Sequence, residues 1–338
     1  KIINMVIHDN GDGIAFWVTS LDSEIYGCVL YRNGWDGPTG SRGNGHGIYS
    51  QNRDGTKQIL ETISFDNYAT GMKGFAEAGY AIGYRFEGNI SFNNGAPARP
   101  RPEFNREQNI LVGTAVNPSD RIEIVNNYTY HPLNSSGPSL GLGYLSNPNG
   151  NVVVQNNYLV GGLGTTVYVK YWKIVRFPVN TVIGNGQFIS VHPPTNTPWN
   201  AYQWDNNQYF STVTNPWDTP GRVYNFNGWK QATALDPNSQ WLTSVNNRPT
   251  GVKVFVRPNR YEAGRANIAV YNWDLRSQVA VDVSSILQPG ARYEVRNPQD
   301  FYGAPVLSGI YSGQPLNLPM TGSTTSPEIN AFILVTTS

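Results

Sequence analysis

The sequence predicts an all-β chain, a right-handed parallel β-helix (a solenoid) followed by an antiparallel β-sandwich domain. Three observations carry this. A short strand-and-turn pattern recurs through the first 190 residues. Charged residues are 14% of the chain, against roughly a quarter in ordinary soluble proteins. Gly 35 and Pro 23, among much Asn, Ser and Thr, supply turns rather than helices.

The pattern runs Met5-Val6-Ile7-His8-Asp9-Asn10-Gly11 and Cys28-Val29-Leu30-Tyr31-Arg32-Asn33-Gly34, then from Thr62 and Asn89, with weaker copies from Asn127, Asn157 and Asn180. Starts are 23, 34, 27, 38, 30 and 23 residues apart. A minimal solenoid coil takes a little over twenty residues, and longer intervals carry loops. Alternating apolar and polar residues bury one face of each short strand. Asn89, Asn127, Asn157 and Asn180 fall in one column, where stacked amides can bond from rung to rung. Two of them also head glycosylation sequons, but the ladder reading is preferred, and Asn134-Ser135-Ser136 is the better acceptor.

A second column follows each turn. Asp12-Gly13-Ile14 aligns with His46-Gly47-Ile48 and Thr70-Gly71-Met72, and more loosely with Leu140-Gly141-Leu142. If Ile14, Ile48 and Met72 point inward, then Ala15, Tyr49 and Lys73 point outward, as do Trp17, Gln51 and Phe75. Asp12 and His46 become neighbours.

Residues 1–190 are therefore expected to form the solenoid, 191–250 a closing segment packed on it, and 251–338 the sandwich. Trp229 lies in a short helix within the closing segment. The sandwich strands are Val252–Val256, Ala266–Trp273, Val279–Val283, Arg292–Arg296 and Ala331–Val335. Packing of this domain on the last rungs is expected to cover Trp229 and Trp241.

A net charge of +1 gives no basic stripe for nucleic acid, and no segment is apolar and long enough to span a membrane. One cysteine, Cys28, allows no internal disulfide. No cap precedes the first rung, so self-association or a missing domain is expected at that end.

Asn33-Gly34, Asn94-Gly95 and Gly45-His46-Gly47-Ile48-Tyr49 resemble secreted β-helix proteins of the pectate-lyase-like superfamily. Trp204-Asp205-Asn206-Asn207, Trp229-Lys230-Gln231-Ala232-Thr233 and Asp236-Pro237-Asn238-Ser239 are similar to the closing segment of many such bacterial proteins. The last domain looks like the sandwich appended to some bacterial glycosidases. The resemblance implies a secreted or cell-surface protein acting on polysaccharide, though the superfamily holds lyases, hydrolases, epimerases and proteins without activity. Gly45-His46-Gly47 is similar to a motif of polygalacturonase-type hydrolases, but their paired aspartates and Arg-Ile-Lys motif are absent.

The candidate site is the outward face of the first three rungs, walled by loops 35–44 and 96–106. Aromatic rings stack on pyranose faces, and cations pair with uronate carboxylates. β-Elimination needs a base, an acid for the leaving oxygen and a cation for the carboxylate. Lys73 or His46 is the candidate base, Tyr49 the acid, and Asp12 the residue orienting His46. Arg42, Arg53 and Arg85 are candidate neutralisers, and Trp17, Gln51 and Phe75 line the substrate. No cofactor is required; calcium at Asp9, Asp12 and Asp36 is the candidate metal. The competing reading is a non-catalytic glycan-binding or self-assembling module.

Overall fold

The solenoid is built by two recurring left-handed turn positions. A computed structural model describes residues 1–35, 45–95, 106–144, 147–323 and 325–337. Asp9, Arg32, Asp66 and Asn93 all have φ between 48° and 57°, and each ends a strand of the second sheet. Asn4, Gly27, Glu61, Gly88, Asn126, Asn156, Val179 and Asn206, with φ between 49° and 67°, mark where the first sheet gives way to the second. Asn, Asp and Gly tolerate this region best, which is why they punctuate the repeat.

Between the turns, short strands stack in parallel into three sheets of eight, nine and nine strands among the described residues. The second sheet keeps the register read from sequence: Val6 pairs with Val29, Val29 with Ile63, Ile63 with Ile90, Ile90 with Tyr128, Tyr128 with Tyr158 and Tyr158 with Thr181. The third sheet aligns Ile14, Ile48, Met72, Ile110, Leu140, Val167, Ile189 and Trp217 in one inward column. These residues share one core with Ile25, Ile59, Phe86 and Ile124 of the first sheet.

Two asparagine columns bind the rungs. Asn89, Asn127, Asn157 and Asn180 each pass an amide N–H to the next Oδ1 at 2.9, 3.0 and 2.9 Å, and Asn180 continues to Asn207. All are buried, so the ladder accounts for Asn89 and Asn127, whereas Asn134 is exposed. The other asparagine column runs through the Asn33-Gly34 and Asn94-Gly95 turns. There Asn33 donates to Asn67 at 2.8 Å, and Asn67 to Asn94 and Asn94 to Asn109 at 2.9 Å. Asn157→Ala is expected to destabilise by about 2–4 kcal/mol, because it orphans the buried backbone N–H of Asn127 and breaks the ladder on both sides of that rung. A urea titration checks this, and a loss under about 1 kcal/mol would contradict the ladder's role.

The chain divides into two compact units, Lys1–Thr243 and Ser244–Ser338. The sheets run on past residue 190, through Tyr202–Asp205, Gln208–Phe210, Trp217–Thr219 and Gln240–Trp241. Trp217–Thr219 pairs antiparallel with Arg222–Tyr224, ending the third sheet in a hairpin. The helix Phe226–Thr233 follows, capped by Asn225 Oδ1 accepting from Gly228 N. Trp229 is buried by its own unit, among Trp199, Trp204 and Trp217, so it needs no second domain to cover it.

Asp236 anchors this end. Its carboxylate accepts from Asn207 Nδ2, Tyr209 Oη, Trp229 Nε1 and Ser239 Oγ, and Trp204 Nε1 donates in turn to Tyr209 Oη at 2.8 Å.

The second unit is antiparallel. Val252–Pro258, Ala266–Asn272, Ile329–Thr336, Arg292–Arg296 and Leu307–Ile310 form one sheet, and Gln278–Val281 with Leu316–Pro319 a second. Ile268, Val270, Phe332 and Leu334 share a core with Val279, Val281 and Leu318, as a sandwich requires.

Candidate functional site

The outer face of the third sheet carries the titratable cluster. Ile14–Phe16, Ile48–Ser50 and Met72–Ala76 lie side by side, so Ala15, Tyr49 and Lys73 are register partners. Ile14, Ile48 and Met72 face the core, which sends Lys73 and Tyr49 outward, each half-buried.

His46 precedes its strand and is only 3% exposed. Asp12 Oδ1 accepts the backbone N–H groups of Gly45 and His46, both at 2.8 Å. The ring is set by Thr70, whose backbone N–H donates to Nδ1 at 3.1 Å. Nε2 lies 3.4 Å from Lys73 Nζ. With Nδ1 accepting, the neutral ring carries its proton on Nε2, by hydrogen-bond assignment. That proton faces Lys73, and an ammonium there would set donor against donor. The pair is satisfied when Lys73 is a neutral amine accepting from His46.

The surroundings pull both ways: the Phe75 and Tyr49 rings favour an ammonium, and burial disfavours it. Lys73 Nζ sits 4.5 Å from the Phe75 ring centroid and 5.2 Å from that of Tyr49. Burial lowers its pKa from 10.5, against an opposing pull from Glu107, Asp12 and Glu77. Burial raises the pKa of Tyr49 above 10.0; a hydrogen bond from Gln51 opposes this, and Glu77 and Asp12 add to it. A proton acceptor and a proton donor thus occupy adjacent rungs, about 4.8 Å apart along the solenoid.

Trp17 lies edge-on to Tyr49 at 5.2 Å and is 47% exposed. Phe75 leaves the same side of the sheet but is 6% exposed, because Tyr144 packs edge-on against it at 4.9 Å. Tyr144 crosses the rung between them at Gly113, the register partner of Phe75, where a Cβ would lie 3.1 Å from Tyr144 N. Phe75 therefore buttresses Lys73 rather than offering a face to ligand.

Arg85 and Arg53 pair with acidic side chains. Arg85 is on the first sheet, paired with Glu87 and Glu123, away from His46. Arg53 is exposed and paired with Asp54. Arg42 and Asp36, with most of both expected walls, lie outside the described residues. Asp9 bonds His8 and Asp12 holds backbone N–H groups; among the described residues no group of three or more His, Cys, Asp or Glu could hold a metal.

Glu107 and Gln108 were missed by sequence reasoning. Gln108 Oε1 accepts from Thr70 Oγ1, and its Nε2 donates to Tyr168 Oη at 3.3 Å. Aligning Ile110 with Met72 would have placed Gln108 beside Thr70 and His46, but the insertion at 96–106 hid that match. Farther along this face, Asp218 Oδ2 accepts from Ser190 Oγ and meets His192 Nε2, both at 2.9 Å.

No family model, no curated protein and no solved structure matches the chain.

Proposed function

We propose that this protein is a secreted polysaccharide-processing enzyme of the pectate-lyase-like kind, cleaving a uronate-containing chain by β-elimination on the outer face of the third sheet. The observation that carries the reading is the His46–Lys73 pair, 3.4 Å apart, which holds a partly desolvated amine one rung from the Tyr49 hydroxyl. Lys73 takes the proton beside the uronate carboxyl, and Tyr49 protonates the departing glycosidic oxygen. Trp17 supplies an exposed ring for a sugar face.

The test is the ultraviolet absorbance of the unsaturated product, followed over alginate, pectate and glycosaminoglycans, with Lys73→Ala and Tyr49→Phe alongside. Wild type is expected to generate the signal, and each variant to abolish it. No signal from wild type on any uronate polymer sinks the elimination reading.

One observation favours a second reading. Arg53 and Arg85 are already paired with acidic residues, which leaves neither ready for a uronate carboxylate. On that reading the same face, led by Trp17, holds a glycan without cutting it. Binding by wild type, lost in Trp17→Ala and accompanied by no unsaturated product, would select it.

A further inference from the structure

Lys57 begins the strand Lys57–Leu60 of the first sheet, and its side chain is wholly buried. The core column it belongs to continues as Tyr84, Ile122 and Val152, so a lysine is out of character there. Its Nζ donates to Trp17 O at 2.5 Å and Gln51 O at 2.8 Å, and reaches Phe16 O at 3.4 Å. The Phe16 ring centroid is 4.1 Å away. Three ammonium donors thus meet three carbonyls, and among the described residues no carboxylate pairs with Lys57. A buried charge without a counter-ion is costly unless fixed dipoles replace water, and here the carbonyl dipoles and the ring's π face do so.

Strand length explains the location. The first two strands of the third sheet end at Phe16 and Ser50, whereas the next two extend to Ala76 and Thr114. Trp17 and Gln51 thus lie just beyond the ladder. Trp17 carries the exposed ring beside Tyr49, and Gln51 follows Tyr49 by two residues on the same strand exit.

We propose that Lys57 is a positioning residue of this site, its ammonium filling a carbonyl cage of the kind that takes a monovalent cation and so fixing the Trp17 ring and the backbone at Gln51, two residues after Tyr49. The inference rests on the proposed function for its meaning, but its test does not. Burial lowers the Lys57 pKa to about 8, in keeping with an ammonium that lacks an anionic partner.

The experiment reads Trp17 directly, as the difference in iodide quenching between each protein and the same protein carrying Trp17→Phe. Lys57→Met is expected to raise the Trp17 quenching constant by about threefold and to weaken polysaccharide binding about tenfold. Lys57→Arg, which keeps charge and donors, stays nearer wild type. A folded Lys57→Met protein with wild-type Trp17 quenching overturns the proposal. Should Lys57→Met not fold, Lys57→Ala is refolded with methylammonium, which refills the cage, or with sodium. Recovery of the Trp17 signal with methylammonium alone supports the assignment, and no recovery overturns it. Failure of wild type to act on or bind any polysaccharide would instead remove the functional reading and leave the Trp17 result standing.

Discussion

The Lys73→Ala protein is expected to fold normally and to lose turnover by about 10²–10⁴-fold, the range general acid–base groups contribute. The structural cost should be small, the loss of the long 3.4 Å contact with His46 Nε2. Lys73 is partly desolvated against Tyr49 and Phe75 and makes no ion pair among the described residues, so its removal relieves a cost. The effect should fall on kcat more than on KM. Tyr49→Phe is expected to cut kcat comparably and to be worst on substrates with poor leaving groups. The pH profile follows from the shifts. Lys73 works deprotonated, so activity rises with pH through its lowered pKa, below 10.5. Tyr49 works protonated, so activity falls only above 10.0, through its raised value. An alkaline optimum is the expected result; activity that peaks in acid and ignores Lys73→Ala would point to a different base.

The largest stability effect belongs at the far end of the solenoid. Asp236→Ala is expected to destabilise the first unit by about 3–6 kcal/mol, because several buried donors lose one shared acceptor. Tyr209 and Ser239 can turn their hydroxyls elsewhere, but Trp229 Nε1 and the Asn207 amide cannot. Asp236→Asn keeps the shape yet brings an NH₂ group among donors, so it too should destabilise, by less than alanine. Thermal melts of the three proteins check the order. An alanine variant that melts like wild type would show that the aromatic packing of Trp204, Trp217 and Trp229 holds this end unaided.

The solenoid was legible because its constraints are local and repeated. Asparagine columns and left-handed turn residues recur at every rung, so aligning them recovered the register of the second sheet from Val6 to Thr181. The site was only partly legible. Alternation within one strand placed Tyr49 and Lys73 outward, but it could not say that Tyr144 reaches over Gly113 to cover Phe75. That contact joins residues two rungs apart through a side chain, not through the strand pattern. Arg85 shows the same limit: its charge suited a uronate, but its strand belongs to another sheet. Lys57 was readable and overlooked, since it shares parity with inward-facing Ile59.

The hairpin that ends the third sheet has a consequence for how copies of this protein can meet. A stack of parallel strands is a template for its own extension, and open edges invite fibres. Here Trp217–Thr219 is already paired with the returning Arg222–Tyr224. In the first sheet, Trp204 O is taken by Asp236 N and the Asp205 carboxylate by Asn238. The second sheet finishes in the two-residue strand Gln240–Trp241, too short to seed another. A filament grows only if every unit can accept a neighbour at both ends. With this end closed, strand-to-strand association cannot propagate along the axis, and concentrated solutions should yield discrete particles rather than fibrils.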